Sequence, residues 1–231
     1  VGLPRDVDVY YKGGRLPSYQ LDGATWALVY LNAGATVLEC RKTDQQDCDT
    51  QESLVEETEK GFSFSDDQLR FLVNRKGEIV DVHCKDHLLC THFHALRLYQ
   101  DINPDYDAWE LSKISLTMEP QLAEVKRIHL AGNAAYHDGL VGRLVIGSST
   151  IRQVIHFTKN SRHIDIEMEV DWRERHKVLK STLSHSLQTD YFLCDTQLGY
   201  KRIHLHQNTR ADGDRYEVCA QRYAALGDEQ Y

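Results

Sequence analysis

The densest group of chemically capable side chains in the sequence lies between residues 101 and 110. Asp107 and Glu110 supply carboxylates there, and Trp109 supplies an aromatic ring between them. Carboxylates hydrogen-bond sugar hydroxyls, and an aromatic ring packs on the apolar face of a pyranose. An Asn-Pro pair earlier in the segment favours a turn, so the same residues would also form an acidic loop anchored by a buried tryptophan. Residue types alone leave both interpretations open.

Histidine pairs and the polar segment around them form a second group. His204 and His206 make one His-X-His pair, and a similar pair lies upstream. Side chains two apart on a strand point to the same side, so such a pair has the spacing to clamp a metal. Pairs of this kind usually sit on solvated or half-buried strands, and we therefore predict no metal site in this chain. The segment 200–209, which carries His206 and Asn208, offers donors to sugar hydroxyls or forms a solvated turn.

An acidic row is the third group, and its members alternate with apolar residues: Asp165, Glu167, Glu169 and Asp171. Glycosidases use two carboxylates about 5–10 Å apart. Neighbours on one side of a strand are about 7 Å apart, so this spacing is compatible with such a pair. Charged residues that alternate with apolar ones are also typical of a solvent-facing strand. We favour the solvated strand.

Period-two alternation indicates the fold that must position these groups. Residues 163–172 alternate apolar and charged side chains, which places the apolar set on one side of a strand but not of a helix. Residues 69–82 read as a hairpin with Gly77 in its turn. Only two short segments, 54–60 and 119–128, have weak helical character. The sequence predicts a mainly β fold, a large antiparallel β-sandwich.

Composition narrows the function class. The chain has 231 residues and a formal net charge of −8. Nucleic acids and anionic membrane surfaces are bound through a basic face, so neither is expected as a partner. No apolar stretch approaches the length of a membrane span, and the first residues lack the pattern of a signal peptide.

The cysteines and the known catalytic motifs exclude further classes. The six cysteines contain no Cys-X-X-Cys pair, which argues against a zinc knuckle or a thioredoxin-like motif. Free thiols in a reducing cytoplasm are the expectation for a chain of this length. The sequence has no Gly-rich phosphate loop, and no Ser or Cys stands in the context of a nucleophile.

Three segments, in order, carry a resemblance to a known family. Residues 98–110 read LYQDINPDYDAWE, residues 169–180 read EVDWRERHKVLK, and residues 215–223 read RYEVCAQRY after an upstream His206 and Asn208-Thr209. They resemble the segments LYxDxPxxxDAWD/E, EVDWxExHKxLK and ARFEVPAQRW of glycoside hydrolase family 38 α-mannosidases of the bacterial and cytosolic type. The resemblance covers residues 69–226.

This resemblance implies the middle to C-terminal β-domain of a larger enzyme, with a galactose-mutarotase-like supersandwich fold. The family hydrolyses terminal α-mannosides with retention, using zinc or another divalent metal. Its nucleophile and metal ligands belong to an N-terminal α/β domain and the boundary of a helix bundle, and no segment here matches those motifs. We therefore expect a fragment that has no catalytic residue or cofactor of its own. Its expected partners are a mannoside or oligosaccharide substrate and the catalytic domain of the same polypeptide.

Site residues also follow from the resemblance. In the family, the loop that corresponds to Asp107–Glu110 reaches toward the metal-bound sugar. We therefore predict that Asp107 and Trp109 line the substrate pocket, with Glu110 beside them. Three more residues are candidates for the same pocket or for links between strands: His206, Asn208 and Glu217.

One position departs from the family pattern. Where the family has Arg-Pro-Thr-His, this chain has Ile203-His204-Leu205-His206. Arg202 is adjacent, but a shift of one residue along a strand points a side chain to the other face. A substrate contact that depends on this arginine is therefore not expected here.

The expected organisation has two parts. Residues 1–60 form leading strands that precede or join the β-domain, and residues 61–231 form an incomplete supersandwich domain. Our first hypothesis for function is a β-domain that supports the catalytic domain and supplies part of its pocket wall. The alternatives are an independent carbohydrate-binding module and a purely structural domain.

Overall fold

The computed structural model describes residues 3, 7–16, 18–21, 24–27, 29, 37–42, 53–103, 110–134 and 137–227. In chain order, their strands are β1 (Val7–Tyr11), β2 (Gly14–Arg15), β3 (Ser18–Leu21), β4 (Ala24–Ala27), β5 (Glu39–Lys42), β6 (Val55–Thr58), β7 (Gly61–Ser65), β8 (Leu69–Asn74), β9 (Ile79–Cys84), β10 (His87–Gln100), β11 (Gln121–Leu122), β12 (Glu124–Ala134), β13 (His137–Ile146), β14 (Ser149–Thr158), β15 (Ile164–Asp171), β16 (Lys177–His185), β17 (Tyr191–Thr196), β18 (Gly199–His204) and β19 (Ala224–Ala225). The helices are α1 (Lys113–Thr117) and α2 (Arg210–Asp214).

One sheet has seven antiparallel strands. We call it the large sheet. Strands β6 to β9 form a meander that ends against the long strand β10. β9 and β11 pair with one edge of β10, and β16 pairs with its other edge. Along β8, Leu69, Phe71 and Val73 are buried whereas Arg70 is exposed. This alternation gives the large sheet one apolar face.

A four-stranded antiparallel meander, β12-β13-β14-β15, forms the second sheet. We call it the meander sheet. The register between β13 and β14 is unbroken, from His137 opposite Thr158 to Ile146 opposite Ser149. Every second residue of β14 from Ser149 to Phe157 is buried. The apolar face of this sheet is therefore continuous along its central strands.

The two apolar faces pack on each other and form the core of a β-sandwich. One core cluster joins side chains of the large sheet to three from the meander sheet: Leu140, Ile155 and Phe157. A second cluster joins Leu96 and Leu98 of β10 to the meander sheet. The mainly β, antiparallel sandwich predicted from the sequence is confirmed. Its finer assignment to the galactose-mutarotase-like supersandwiches stays a prediction.

The strand predicted from the alternation at residues 163–172 is present as β15, at the edge of the meander sheet next to β14. Ile164 and Ile166 pack against the first core cluster. Met168, Val170 and Trp172, on the same side, are about 40% exposed. Alternation thus predicted the strand and its apolar side correctly, but the far half of that side is not covered by the described residues.

The helical expectations from the sequence were wrong. Residues 55–58 form β6, and residues 124–134 form β12. Both segments gain main-chain partners in a sheet, and tertiary pairing outweighs a weak helical preference. No helix among the described residues is long and apolar enough to cross a membrane. The expected division at residue 60 stays a prediction.

A buried polar network crosses the sandwich at His94 of β10. The His94 ring lies between Ser181 Oγ at 2.7 Å and Gln153 Oε1 at 3.0 Å. Gln153 Nε2 donates to the carbonyl oxygen of Gly77, so its Oε1 faces His94 and must accept from a protonated Nε2. Nδ1 then accepts from the Ser181 hydroxyl. The neutral imidazole therefore satisfies the partners on both of its sides.

This network predicts a pH dependence of stability. Burial lowers the pKa of His94 below its usual value, and the hydrogen bond to Gln153 Oε1 opposes only part of the shift. The unfolded chain therefore takes up a proton below pH ~6.5 while folded His94 stays neutral, so the free energy of unfolding falls as pH decreases. The full contribution is present above pH ~6.5, and the slope for this one proton is at most about 1.4 kcal/mol per pH unit.

Urea unfolding between pH 7.5 and 5 measures this effect in the native chain and in His94→Gln. We expect the variant to be less stable at pH 7.5 and to lose less stability on acidification. Equal pH slopes for the two proteins would show that His94 does not titrate differently in the folded and unfolded states.

Candidate functional site

The loop on which the sequence analysis concentrated begins where β10 ends. Asp107 and Trp109 lie outside the described residues, and Glu110 is exposed. Asn103 Nδ2 donates to the carbonyl oxygen of Glu110 at 2.7 Å. This bond holds Asn103 and Glu110 close together, on either side of residues 104–109, which lie outside the described ranges.

The base of this loop is anchored to the second motif segment. The carbonyl oxygen of His176 accepts from the main-chain N–H of Asp101 at 2.8 Å and from Gln100 Nε2 at 3.0 Å. His176 has a φ of 50°, a left-handed conformation that is uncommon for residues other than glycine. On the other side, the hydroxyl of the buried Ser115 accepts from the N–H of Ile102 at 2.9 Å. The loop base is therefore held by the residue that precedes β16 and by α1.

The third motif segment reaches the same place. The Tyr216 hydroxyl donates to the carbonyl oxygen of Leu111 at 2.7 Å. Lys113 Nζ donates to the carbonyl oxygen of Gly213 at 2.9 Å. The three segments thus meet at one end of the large sheet, and we call this region the motif junction: residues 100–103, 110–113, 176–180 and 213–217.

Glu217 links β16 to the irregular segment that follows α2. Its carboxylate forms an ion pair with Lys180 of β16, which connects the second and third motif segments. The sequence left two roles open for Glu217, a pocket residue or a connection between strands. The structure gives it the connecting contact.

His206 and Asn208 lie on the segment that leads into α2. Both are exposed, and His206 Nδ1 is 3.9 Å from Asp212 Oδ2. Thr209 and Asp212 form a reciprocal capping box that begins α2, and the hydrogen bonds from Thr209 hold the pKa of Asp212 below its usual range. Because α2 contacts Lys113, the turn that follows His206 and Asn208 is fixed beside the segment that carries Glu110.

Asp101 directly follows β10, at the start of the acidic segment. Its Oδ1 is buried and has no hydrogen-bond partner among the described residues. A buried carboxylate oxygen without a donor is costly, so Asp101 Oδ1 is a candidate acceptor for a donor outside the described residues. In the sequence, the position of Asp101 at the start of the acidic segment is the signal that points to it.

Glu174, in the second motif segment, has a structural contact. Its carboxylate accepts from Lys177 Nζ at 2.7 Å and from the main-chain N–H of Ser148 in the turn between β13 and β14. These two donors hold the pKa of Glu174 below its usual range. A side chain at Gly147 would collide with this carboxylate, because a Cβ there would lie 2.5 Å from Glu174 Oε1. The acid thus joins this turn to the start of β16.

The position that departs from the family pattern faces inward. Ile203 is 5% exposed, whereas Arg202 is exposed on β18. The Arg202 guanidinium lies over the Tyr191 ring, 4.2 Å from its centroid. Arg202 therefore has its own contact, and it does not take the place of an arginine at position 203.

The described residues do not fit a metal centre. His204 and His206 stack face to face with ring centroids 5.0 Å apart. In the part of the chain that the structure describes, no group of three or more His, Cys, Asp or Glu side chains is arranged to hold a metal ion. The divalent metal implied by the resemblance has no ligand set among these residues.

Comparisons with known proteins agree with the family resemblance of the three motif segments. The model of the glycosyl hydrolases family 38 C-terminal domain matches residues 67–231. Alpha-mannosidase 2C1 from Mus musculus is 26% identical over 133 residues, which is 57% of this chain and 13% of the mouse protein. Alpha-mannosidase G from Dictyostelium discoideum is 26% identical over 141 residues, 59% of this chain and 13% of its own length. The chain thus spans only a small part of the length of these relatives.

Proposed function

The chain belongs to glycosyl hydrolase family 38, whose C-terminal domain it carries, and from this premise we propose that it is the β-domain of an enzyme that hydrolyses terminal α-mannosides. In this proposal the domain packs beside a catalytic α/β domain of the same polypeptide. It supplies support and one wall of the substrate pocket, and it is inactive alone. The matching relatives bear the names of α-mannosidases, which supports this substrate class.

The proposal rests on the contacts among the three motif segments at the motif junction. Segments 37–105 residues apart in sequence contact one another there, through Lys180 and Glu217 and through Tyr216 and Leu111. Such long-range contacts position an otherwise isolated loop. The loop that they hold contains the predicted pocket residues Asp107 and Trp109. In our proposal it projects from this end of the sheet toward the sugar.

Each part of the loop has a proposed role. The Asp107 carboxylate accepts hydrogen bonds from sugar hydroxyls, and the Trp109 ring packs on the apolar face of the pyranose. In this proposal, the rim of the substrate pocket is formed by Glu110, His206 and Asn208. The nucleophile and the divalent metal belong to the catalytic domain, where the metal would polarise the bound sugar.

We place the enzyme in a reducing, cytoplasmic environment. The cysteines that the structure describes are free thiols, Cys90 and Cys194 buried and the others at least partly exposed. Free cysteines are typical of proteins from reducing compartments, which supports this part of the proposal.

Hydrolysis of an aryl α-mannoside tests the proposed division of labour. The 231-residue chain and a longer polypeptide that contains it are assayed in the presence of Zn²⁺ or Co²⁺. We expect turnover by the longer polypeptide and none by the 231-residue chain, because the chain carries no nucleophile motif. Metal-dependent turnover by the 231-residue chain alone would refute the proposal.

A further inference from the structure

The outer face of the large sheet contains a groove that the proposed function does not use. Its volume is about 580 Å³, within the usual range of small-ligand sites. It lies across β7, β8 and β9 and the turn after β6. The side chains that matter for its chemistry are Glu59, Lys60, Arg70, Leu72, Asp81 and His83.

A β-bulge shapes this groove. The register between β8 and β9 shifts between Arg70 and Leu72, and Asp81 has a φ of 54°. A left-handed residue within a strand is strained, although aspartate tolerates it better than most residues. Bulges re-aim side chains, and strained residues cluster at sites of function. The bulge exposes Asp81 on the groove side, near the position where Arg70 pairs with His83.

The His83 ring is fixed in one tautomer. His83 Nδ1 lies 2.8 Å from the carbonyl oxygen of Asp81, and a carbonyl can only accept, so Nδ1 carries the hydrogen. In the neutral ring, Nε2 is then an acceptor. The groove thus contains one ring nitrogen whose hydrogen-bonding role is set by the backbone of the bulge.

The groove contains equal numbers of positively and negatively charged side chains, and these form no ion pairs in the described ranges. Lys60 and Arg70 are cations, and Glu59 and Asp81 are carboxylates. None of these four side chains forms an ion pair or a hydrogen bond with another residue in the described ranges. Two hydrogen-bond-donating side chains and two hydrogen-bond-accepting side chains within one groove are therefore available to solvent or to a ligand. A ligand that pairs with both the cations and the carboxylates must itself donate and accept hydrogen bonds. It must also carry no large net charge.

Vicinal hydroxyl groups meet this requirement, because each hydroxyl donates one hydrogen bond and accepts others. Leu72, half-buried in the floor of the groove, offers an apolar contact for the C–H face of a sugar ring. We propose that the groove is a second, non-catalytic binding site for a neutral oligosaccharide. The groove binds the ligand through Arg70, Asp81 and His83, with Lys60 and Glu59 at its edge.

The groove is far from the motif junction. His83 pairs with Leu88 near the start of β10, whereas the junction begins at Gln100. Twelve residues of strand span about 40 Å, and the nine from the level of Asp81 to Gln100 span about 30 Å. The groove would therefore hold a chain of sugars away from the catalytic pocket, and its function does not depend on hydrolysis by the parent enzyme.

Titration of the ¹⁵N-labelled 231-residue chain with α-linked mannotriose tests the proposal by amide chemical shifts. We expect saturable, millimolar binding with shifts at Leu72, Asp81 and His83 and none at residues 110–113. Asp81→Asn keeps a residue that tolerates the left-handed conformation and removes the charge, and Arg70→Gln removes a cation. Each variant is expected to weaken binding at least fivefold.

Asp165→Asn, on the exposed side of β15, is the matched control and should bind as the native chain does. Urea unfolding midpoints of all variants show whether they are folded. The absence of shifts up to 50 mM mannotriose, shifts confined to the motif junction, or unchanged binding by folded Asp81→Asn and Arg70→Gln would each overturn the proposal. Binding of inorganic sulfate but not of mannotriose would overturn it as well, because the ligand would then be an anion. None of these outcomes bears on hydrolysis by the longer polypeptide.

Discussion

Phe157→Ala is expected to lower the free energy of unfolding by about 3–5 kcal/mol. Phe157 is 1% exposed and stands where the two sheets face each other. Its ring centroid is 3.8 Å from that of Phe64 and 5.7 Å from that of Phe71, both of the large sheet. Removing this ring leaves a cavity between the sheets, and the strands on either side are too constrained by their hydrogen bonds to close it.

Urea unfolding at pH 7, followed by circular dichroism, measures the loss. Phe157→Leu is the matched control, because it keeps most of the apolar volume and should cost less than half as much. A loss below about 1 kcal/mol for Phe157→Ala would mean that the two sheets do not depend on this contact.

Gly61→Ala is expected to cost about 3 kcal/mol or more, through the backbone rather than the core. Gly61 begins β7 with a φ of 145°, a conformation that is essentially restricted to glycine. A Cβ at this position would lie 2.1 Å from the carbonyl oxygen of Val73 on the neighbouring strand. Because the obstacle is main chain and not a movable side chain, β7 and β8 would have to separate.

Gly199→Ala provides the comparison for this prediction. Gly199 lies on an exposed strand, and a Cβ there would meet nothing within 4 Å. We expect its unfolding midpoint to stay within about 1 °C of the native value. Comparable midpoints for the two variants would contradict the strain assigned to Gly61.

The fold was predictable from the sequence where the pattern is local. Turn residues predicted the hairpin of β8 and β9, and period-two alternation predicted the strand β15; both are present. Alternation reports which side of a strand is apolar, but it does not report what covers that side. This is why β15 was placed correctly although Met168 and Trp172 are exposed.

The short helices could not be predicted in the same way. α1 and α2 have five residues each and depend on caps and on distant contacts. The cap at Thr209 needs Asp212 three residues later, which is a recognisable signal. The same segment also carries His206 and Asn208, whose residue types suit sugar hydroxyls as well as a turn.

The candidate site was also predictable only where its signals are local in the sequence. The motif segments were recognised one by one, but their meeting depends on contacts between residues far apart in the chain, such as Tyr216 with Leu111. No local pattern contains that information. Glu217 illustrates the consequence, because its residue type permitted two roles and only its ion pair with Lys180 favours one.

The groove on the outer face of the large sheet was not predictable either. Arg70 and Asp81 belong to a hairpin that the sequence indicated correctly, yet the bulge that exposes Asp81 depends on a local change of register. The backbone conformation, rather than the residue types, distinguishes this face from an ordinary solvated sheet.

We propose that this domain supplies one wall of the substrate pocket of an α-mannosidase through the loop whose base lies at the motif junction. The most direct test of this central claim is kcat/KM for an aryl α-mannoside in the longer polypeptide with Asp107→Asn, beside Asp165→Asn as control. We expect a loss of at least about 100-fold for Asp107→Asn, no change for the control, and an unfolding midpoint that does not move in either. An unchanged kcat/KM together with a lower unfolding midpoint for Asp107→Asn would contradict the claim and make the loop a purely structural element.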